Sequence, residues 1–165
     1  MSDDERRTES EEVAAEAPQK RRRVMDPTYE PPLLVPIAEP LADVKLTKRV
    51  LRLINKSTAE RKVRRGVKEV VKSIRKEKNA ASKQRLCVLA GDITPLDVIS
   101  HIPVLCEEHN IPYIFVRSRT VLGQAARTKR PTSVVMVVLD EGSEHAKTYE
   151  KCVKKIKKLD RKSVV

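Results

Sequence analysis

The chain has 165 residues, which suits one domain of ordinary size plus a tail, and its formal net charge is +12. It contains no run of about 18 apolar residues, and its polar start lacks the apolar core of a secretory signal, so we expect neither a membrane span nor export. With no Trp, one Phe and three Tyr, it lacks the aromatic platform on which single-strand binders stack bases. Its three cysteines stand singly in apolar or amphipathic stretches, which is typical of reduced thiols in an intracellular protein.

The positive charge is concentrated after residue 40. Residues 1–40 hold six basic and ten acidic side chains, whereas residues 41–165 hold 29 basic and 13 acidic ones. A net charge of +16 on the second segment is typical of a domain that binds nucleic acid, although lysines that only increase solubility are the alternative. Since aromatic residues are few, we predict RNA binding through backbone charge and shape.

Residues 1–40 are predicted to form a disordered arm. An acidic stretch is followed by the basic cluster Lys20–Arg23 and then by a segment in which prolines recur and block helix formation. The cluster suits either a nuclear-import signal or a solvated run of charge, and the sequence does not separate these two interpretations. Apolar residues between positions 33 and 37 indicate that the end of the arm packs against the domain.

Helical and strand patterns alternate from residue 41 onward. Apolar spacing and short apolar runs predict a helix from about residue 41 to 55, an extended piece at 63–65, a helix at 67–78 and a strand at 86–90. A helix at 95–109, capped by Thr94 and bent at Pro103, and a strand at 113–116 follow. The last elements are a helix capped by Ser118, a strand at 133–139 and a helix after Ser143. Strands without polar alternation are covered on both faces. We therefore predict an α/β fold, a three-layer α/β/α sandwich around a small four-stranded mixed sheet, as one domain over 41–165.

No pattern typical of catalysis or of metal binding is present. Glycine-rich phosphate loops, a zinc-protease signature and paired cysteines are all missing. Asp92 and Asp97 are better explained by a strand end and a helix first turn than by a catalytic pair. Cys106 and His109 lie three residues apart, but no second pair completes a metal site. We predict that the chain is not an enzyme and has no cofactor and no small-molecule substrate.

The first of two basic segments runs from Arg65 through Gly66 into the next helix. Lys68 and Lys72 lie four residues apart on the face opposite the valines of this helix. The helix start offers backbone N–H groups to an anion, and a glycine lets a phosphate approach the backbone. Glu69 is an acid within this basic segment, and it either balances the helix dipole or accepts hydrogen bonds from base N–H groups.

The second basic segment is the loop at residues 127–130. Arg127, Thr128, Lys129 and Arg130 precede Pro131, which ends the loop. We predict that this loop faces the first segment across a shared cleft. Placement of the two segments on opposite sides of the molecule would contradict an RNA-binding role.

The stretch from Arg65 to Val138 resembles the kink-turn-binding ribosomal protein family of the L7Ae type. The segments that carry the resemblance are Gly66–Lys72, Ala90–Pro95, His101–Glu107, Ile111–Val116, Leu122–Gly123 and Lys129–Pro131. With the flanking helices they follow the family's order over about 120 residues, and the fold implied is the same α/β/α sandwich. Within the family, the chain most resembles members found in H/ACA ribonucleoproteins, the nucleolar particles that guide pseudouridylation.

This resemblance implies an RNA-binding structural subunit of the nucleus and nucleolus, one that supports guided pseudouridylation of rRNA and snRNA and ribosome biogenesis. The implied RNA ligands are H/ACA guide RNA and irregular stem-loops. The implied protein partners are the pseudouridine synthase subunit and other H/ACA core proteins. We expect the apolar face of the predicted helix 95–109 to contact those partners.

The resemblance also implies roles for individual residues. Gly66 lets the backbone touch RNA, Glu69 faces a guanine edge, and Lys72 meets a phosphate or a base. The loop Thr128–Arg130 covers an extruded nucleotide, whose pocket is lined by the segment around Thr94. The complete set of predicted RNA-binding residues is Arg65, Gly66, Lys68, Glu69, Lys72, Ile93, Thr94, Val98, Arg119, Thr128, Lys129 and Arg130.

Lys68 departs from the family pattern, since strict kink-turn binders have Asn at this position. An amide both donates to and accepts from sheared base pairs, whereas an ammonium group only donates. Thr128 likewise stands where strict binders commonly have an apolar residue. We predict that phosphate contacts preserve affinity while specificity for the kink-turn is relaxed. The alternative is a kink-turn-specific protein of box C/D particles, the spliceosome or the ribosome.

Overall fold

The computed structural model describes residues 34, 36–76, 83–94 and 96–163. Residues 1–33 of the predicted arm 1–40, which include the basic cluster Lys20–Arg23, lie outside them. The helices in the described residues are α1 (Val44–Ala59), α2 (Val67–Lys76), α3 (His101–Glu108), α4 (Arg119–Ala125) and α5 (Ala146–Ser163), with a 3-10 turn at Leu96–Val98. The strands are β1 (Val63–Arg65), β2 (Lys83–Ala90), β3 (Tyr113–Val116) and β4 (Val134–Asp140).

The strands form one mixed sheet in the order β1-β4-β2-β3. Strand β4 is antiparallel to both β1 and β2, while β2 and β3 are parallel. In the register of the sheet, Leu89 lies opposite Val134 on one side and Phe115 on the other. Because β1, β2 and β3 run in the same direction, their carboxyl ends meet the start of β4 at one end of the sheet.

Helices cover both faces of this sheet. Helix α1 packs between α4 and α5 on one face, and α2 packs against α3 on the other. The run Leu86–Ala90 of β2 is buried at every position, which requires cover on both sides. The predicted three-layer α/β/α sandwich with four strands is therefore confirmed. No helix of the described segments is long and apolar enough to cross a bilayer.

Helix α1 begins three residues later than predicted because the chain first pairs with the edge of β3. The N–H of Ala42 donates to the carbonyl of Phe115 at 2.9 Å, and the N–H of Phe115 donates to the carbonyl of Pro40 at 2.9 Å. Asp43 then caps the helix, since its Oδ1 accepts from the N–H of Leu46 at 2.9 Å. Packed structure thus includes residues before position 41, the residue at which we predicted the domain to start.

The predicted continuous helix over 95–109 is wrong. A 3-10 turn at Leu96–Val98 is followed by α3, which begins only at His101. Pro103 is therefore the third residue of a helix, where an N–H has no intrahelical acceptor, and it does not bend the helix. Asn110 ends α3 as predicted: its φ is 55°, and the next N–H, of Ile111, donates to the carbonyl of Cys106 at 2.8 Å.

Candidate nucleic-acid interface

The two basic segments meet at the end of the sheet where β1 and β2 finish and β4 starts. The N–H of Gly66 donates to the carbonyl of Val134 at 2.9 Å, and the N–H of Ala90 donates to the carbonyl of Ser133 at 2.9 Å. The start of α2 and the end of β2 therefore both adjoin the segment that leaves the basic loop. The predicted segments lie on the same side of the molecule.

Gly66 forms an open corner between β1 and α2. Its φ is +92°, and a Cβ added there would meet no atom within 4 Å. The requirement for glycine thus comes from the left-handed backbone and not from lack of space. The carbonyl of Gly66 accepts from the N–H of Val70 at 3.1 Å, so the helix begins directly at this corner. Since glycine has no side chain to cap them, the first amides of α2 can be approached by an anion.

Helix α2 separates an apolar face from a charged one. Val70 and Ile74 are fully buried, whereas Lys68, Glu69 and Lys72 are exposed. The predicted arrangement of the two lysines opposite the valine stripe is confirmed. No described residue forms an ion pair with the three exposed side chains. Both ammonium groups are therefore available to a polyanion.

The basic loop packs closely on α4. The N–H of Thr128 donates to the carbonyl of Gly123 at 3.0 Å, and the N–H of Thr132 donates to the carbonyl of Arg119 at 3.2 Å. A Cβ on Gly123 would overlap the backbone carbonyl oxygen of Arg130. The position of the loop therefore depends on a helical glycine beneath it.

Two arginines attach the loop and the residue before it to other elements. The Nη1 of Arg65 donates to the carbonyl of Ala126 at 3.1 Å, and the Nη2 of Arg127 donates to Oδ1 of Asn55 on α1 at 3.0 Å. Arg127 itself has a φ of 55°, in the left-handed region. Arg65, which we predicted as an RNA contact, thus already holds the loop against β1.

A cavity of about 520 Å³ lies between the loop and α4. Its lining consists of Thr120, Gln124, Arg127, Thr128, Lys129, Arg130 and Pro131. Three cations and several hydrogen-bonding groups around such a volume are suited to a nucleotide with its phosphate. Thr120 and Gln124 were not among the predicted residues, although their spacing of four on a short helix before the loop was the available signal.

The predicted RNA-binding residues after β2 differ in how far their side chains are exposed. Thr94 is exposed and Val98 is 39% exposed, so both side chains can be reached from solvent. Ile93 is only 6% exposed and packs in the core. The isoleucine can therefore offer a ligand only a small part of its surface.

Asp92 anchors the start of α4 to the end of β2. Its Oδ1 accepts from the N–H of Arg119 at 2.8 Å, and Ser118 caps the same helix by accepting from the N–H of Val121 at 3.5 Å. The cap by Ser118 was predicted, whereas the sequence did not indicate that Asp92 serves a helix 27 residues away. The exposed side chain of Arg119 is thereby held at the same end of the sheet.

The two side chains that we considered for metal binding differ in their exposure. Cys106 is fully buried and His109 is exposed, so they do not share a site. A hydrogen bond with Cys106, together with burial, raises the pKa of the Cys87 thiol. All three cysteines are free and buried, as expected for reduced thiols. His145 pairs with Glu60, at 2.9 Å between Nε2 and Oε1.

Comparison with known families gives a match over most of the domain. Residues 48–147 match the ribosomal protein L7Ae/L30e/S12e/Gadd45 family. Among solved structures, the 15.5kD RNA binding protein of Giardia lamblia is similar, with a TM-score of 0.66 and 27% sequence identity over 75% of this chain and 98% of that chain.

Three similar proteins have names that refer to one type of particle. The H/ACA ribonucleoprotein complex subunit 2-like protein of Arabidopsis thaliana is 53% identical over 64% of this chain and 65% of its own length. The H/ACA ribonucleoprotein complex subunit 2 of Bos taurus is 43% identical over 76% of this chain and 78% of its own. The H/ACA ribonucleoprotein complex subunit nhp2 of Schizosaccharomyces pombe is 45% identical over 78% of this chain and 85% of its own.

Proposed function

The chain belongs to the ribosomal protein L7Ae/L30e/S12e/Gadd45 family, and we propose that it is an RNA-binding structural subunit of the H/ACA ribonucleoprotein. In this role it supports guided pseudouridylation of rRNA and snRNA, and ribosome biogenesis, in the nucleus and nucleolus. The observation that carries the proposal is the meeting of two exposed basic segments at one end of the sheet, in a chain whose relatives at 43–53% identity are named as H/ACA subunits.

RNA binding at this end of the sheet rests on charge and on one enclosed nucleotide. Lys72, Lys129 and Arg130 are exposed cations that contact phosphates, while the carboxylate of Glu69 accepts from base N–H groups. The cavity beside Thr128 receives an extruded nucleotide. With about 5 to 8 phosphate contacts, binding weakens steeply as salt concentration rises.

Lys68 reduces the specificity of this site for the kink-turn. Loss of a bidentate amide contact costs about 1–3 kcal/mol of discrimination between bases. Positioning on the correct RNA therefore depends on protein partners, which we propose to be the pseudouridine synthase subunit and other H/ACA core proteins. Val104 is 57% exposed on α3, and we propose this side chain as part of the partner contact. The subunit holds RNA and performs no catalysis itself.

Filter binding across a range of salt concentrations tests the RNA-binding part. We expect tight, salt-sensitive binding of an irregular stem-loop, with a preference for a kink-turn well below about a thousandfold. The variant Lys68→Gln/Lys72→Gln/Arg130→Gln should bind both RNAs more weakly. The variant Lys154→Gln/Lys157→Gln/Arg161→Gln, which removes three exposed cations from α5, is the control. Equal affinities for the two variants would contradict the proposed site.

Affinity purification of the tagged full chain from nuclear extract tests whether the chain is part of the H/ACA particle. We expect recovery of H/ACA guide RNAs together with the pseudouridine synthase subunit. Val104→Asp should reduce recovery of the synthase while leaving the affinity of the purified chain for RNA unchanged. Recovery of box C/D or spliceosomal RNAs instead would favour the kink-turn-specific alternative and contradict the proposal.

A further inference from the structure

Helices α1 and α5 carry a large basic surface that the proposed RNA site does not use. The sequence of α1 holds five basic residues and no acidic residue, and that of α5 holds eight basic and two acidic residues. Neither helix contributes a residue to the predicted RNA-binding set. Most of the net charge of +12 therefore lies on two helices outside that site.

The two helices run antiparallel and in contact along one seam. Near the start of α1, Oδ2 of Asp43 lies 3.9 Å from Nζ of Lys155, while Glu60 at the other end of α1 pairs with His145 before α5. Burial raises the pKa of the Cys152 thiol, whereas the positive charges of Arg49 and Lys155 act to lower it. Cations from both helices thus lie close to the same buried thiol in the middle of the seam.

Each helix aligns a row of cations with this seam. The rows follow helical spacing, with intervals of three or four residues between members. They consist of Lys45, Arg49, Arg52 and Lys56 on α1, and of Lys151, Lys155 and Lys158 on α5. All of them are exposed except Lys155, which is half-buried. With a rise of 1.5 Å per residue, the row on α1 is about 16 Å long.

Few acids neutralise these rows. In the described part of the chain, Asp43 is the acid that approaches a member of either row, and its distance of 3.9 Å from Lys155 makes a weak pair. Within the same residues, Arg49, Arg52 and Lys151 have no ion pair. Like charges at this spacing repel one another, and binding of a polyanion to the surface relieves that repulsion.

The seam is continuous with the proposed RNA site. The contact of Arg127 with Asn55 joins the basic loop directly to α1. Helix α1 in turn lies between α4 and α5. Since packed helices are about 8–10 Å apart, cations extend for about 20 Å from the loop, across α1, to α5. An RNA held at the loop would have its adjoining stem close to this surface.

We propose that the seam between α1 and α5 is a second RNA-binding surface, which holds the sugar–phosphate backbone of the double-helical stem next to the nucleotides at the basic loop. The inference rests on the proposed RNA-binding function. Helix α1 has no aromatic residue and the rows contain only Lys and Arg, so the contact is with phosphates and independent of sequence. Continuity with the loop favours RNA over an acidic protein as the ligand.

Fluorescence anisotropy with two RNAs tests this surface in the full chain. One RNA is a stem-loop with a short stem, and the other has the same loop with a stem longer by about one helical turn, about 10 base pairs. The seam variant is Arg49→Gln/Arg52→Gln/Lys151→Gln. Its control, Lys154→Gln/Lys157→Gln/Arg161→Gln, removes the same charge from a neighbouring row of α5, which includes Lys157 on the side that borders α3. Circular dichroism checks that both variants fold.

We expect the seam variant to bind the long RNA about tenfold or more weakly than wild type, with a salt slope smaller by about two to three and with unchanged binding of the short RNA. The control should match wild type on both RNAs. Equal behaviour of the seam variant and the control would overturn the proposal. If the seam variant lost binding to polyglutamate but kept full affinity for the long RNA, the ligand would be an acidic protein, and the proposal would also be overturned. Failure of wild type to bind either RNA would instead refute the proposed function itself.

Discussion

The guanidinium group of Arg65 donates through Nη1 to the carbonyl of Ala126 at 3.1 Å and joins the end of β1 to the end of α4. Arg65 directly precedes the corner at Gly66, and Ala126 directly precedes the basic loop. This side chain therefore links the two basic segments directly. Because the acceptor is a backbone carbonyl, the contact depends on the fold and not on the identity of residue 126.

Gly66→Ala should lower the free energy of unfolding by about 1–2 kcal/mol, because a residue with a Cβ is strained at a φ of +92°. It should also weaken RNA binding, since relief of the strain moves the start of α2. Urea denaturation and anisotropy measure the two effects. Gly142→Ala is the matched control, with a φ of +85° and equally open surroundings in the turn after β4. Equal loss of RNA affinity in both variants would contradict the role of the corner.

Gly123→Ala should displace the basic loop without changing any charge. The added Cβ overlaps the carbonyl oxygen of Arg130, which is backbone and cannot rotate away. We expect a loss of stability of about 1–3 kcal/mol and a clear loss of RNA affinity. Hydrogen exchange should accelerate at the amides of Thr128 and Thr132, whose hydrogen bonds to α4 are broken. Lys129→Ala, which removes a charge but leaves these amides protected, is the comparison. Unchanged exchange in Gly123→Ala would refute this account of the loop.

Lys68→Asn should increase the preference for a kink-turn over a plain stem-loop by about fivefold to a hundredfold, as expected for one regained bidentate contact worth about 1–3 kcal/mol. The ratio of the two dissociation constants is the measurement. Lys72→Asn should weaken binding of both RNAs to a similar extent and leave the ratio unchanged. An unaltered ratio in Lys68→Asn would show that residue 68 does not set specificity.

Asp92→Ala should destabilise the fold by about 1 kcal/mol, because the N–H of Arg119 loses its acceptor at 2.8 Å. Asp97→Ala is the control, since Asp97 is exposed in the 3-10 turn and caps no helix in the described residues. Urea midpoints of the two variants should differ accordingly. Equal midpoints would mean that the cap at α4 contributes little.

Glu60 should make the stability of the domain depend on pH in the acid range. The hydrogen bond from Lys62 lowers the pKa of Glu60 below its usual 4.5, and His145 acts in the same direction. Because the folded-state pKa is the lower one, the contribution of the pair is complete above pH 4.5 and is lost as pH falls through the folded value. Urea midpoints of wild type and Glu60→Gln should differ at neutral pH and converge in acid. Glu150→Gln should show no such convergence.

The fold was largely predictable because the spacing of apolar residues along the chain indicates most of its helices and strands. The buried run at Leu86–Ala90 and the amphipathic helix α2 each follow from the spacing of apolar residues alone. The error at 95–109 has a physical cause: Ile99 and Ile102 are buried on both sides of the break, so apolar spacing continues from the 3-10 turn into α3. Sheet order was not predictable, because it depends on pairing between distant segments.

The same distinction applies to the candidate site. The corner at Gly66 and the charged face of α2 were found from neighbouring residues. The contacts that assemble the site join residues 27, 61 and 72 positions apart, and no local pattern indicates them. The basic loop was therefore recognised as a charged segment, whereas its attachment to α1 through Arg127 was not.

The pairing of residues 40–42 with β3 affects whether the sheets of two copies can pair with each other. Strand β3 is the last of its sheet, and an uncovered last strand can pair with the same strand of another molecule. Pro40 and Ala42 occupy the backbone groups of Phe115 there. At the opposite margin, β1 is only three residues long and two of them are exposed arginines. Both margins of the sheet are therefore protected against pairing with the sheet of another copy.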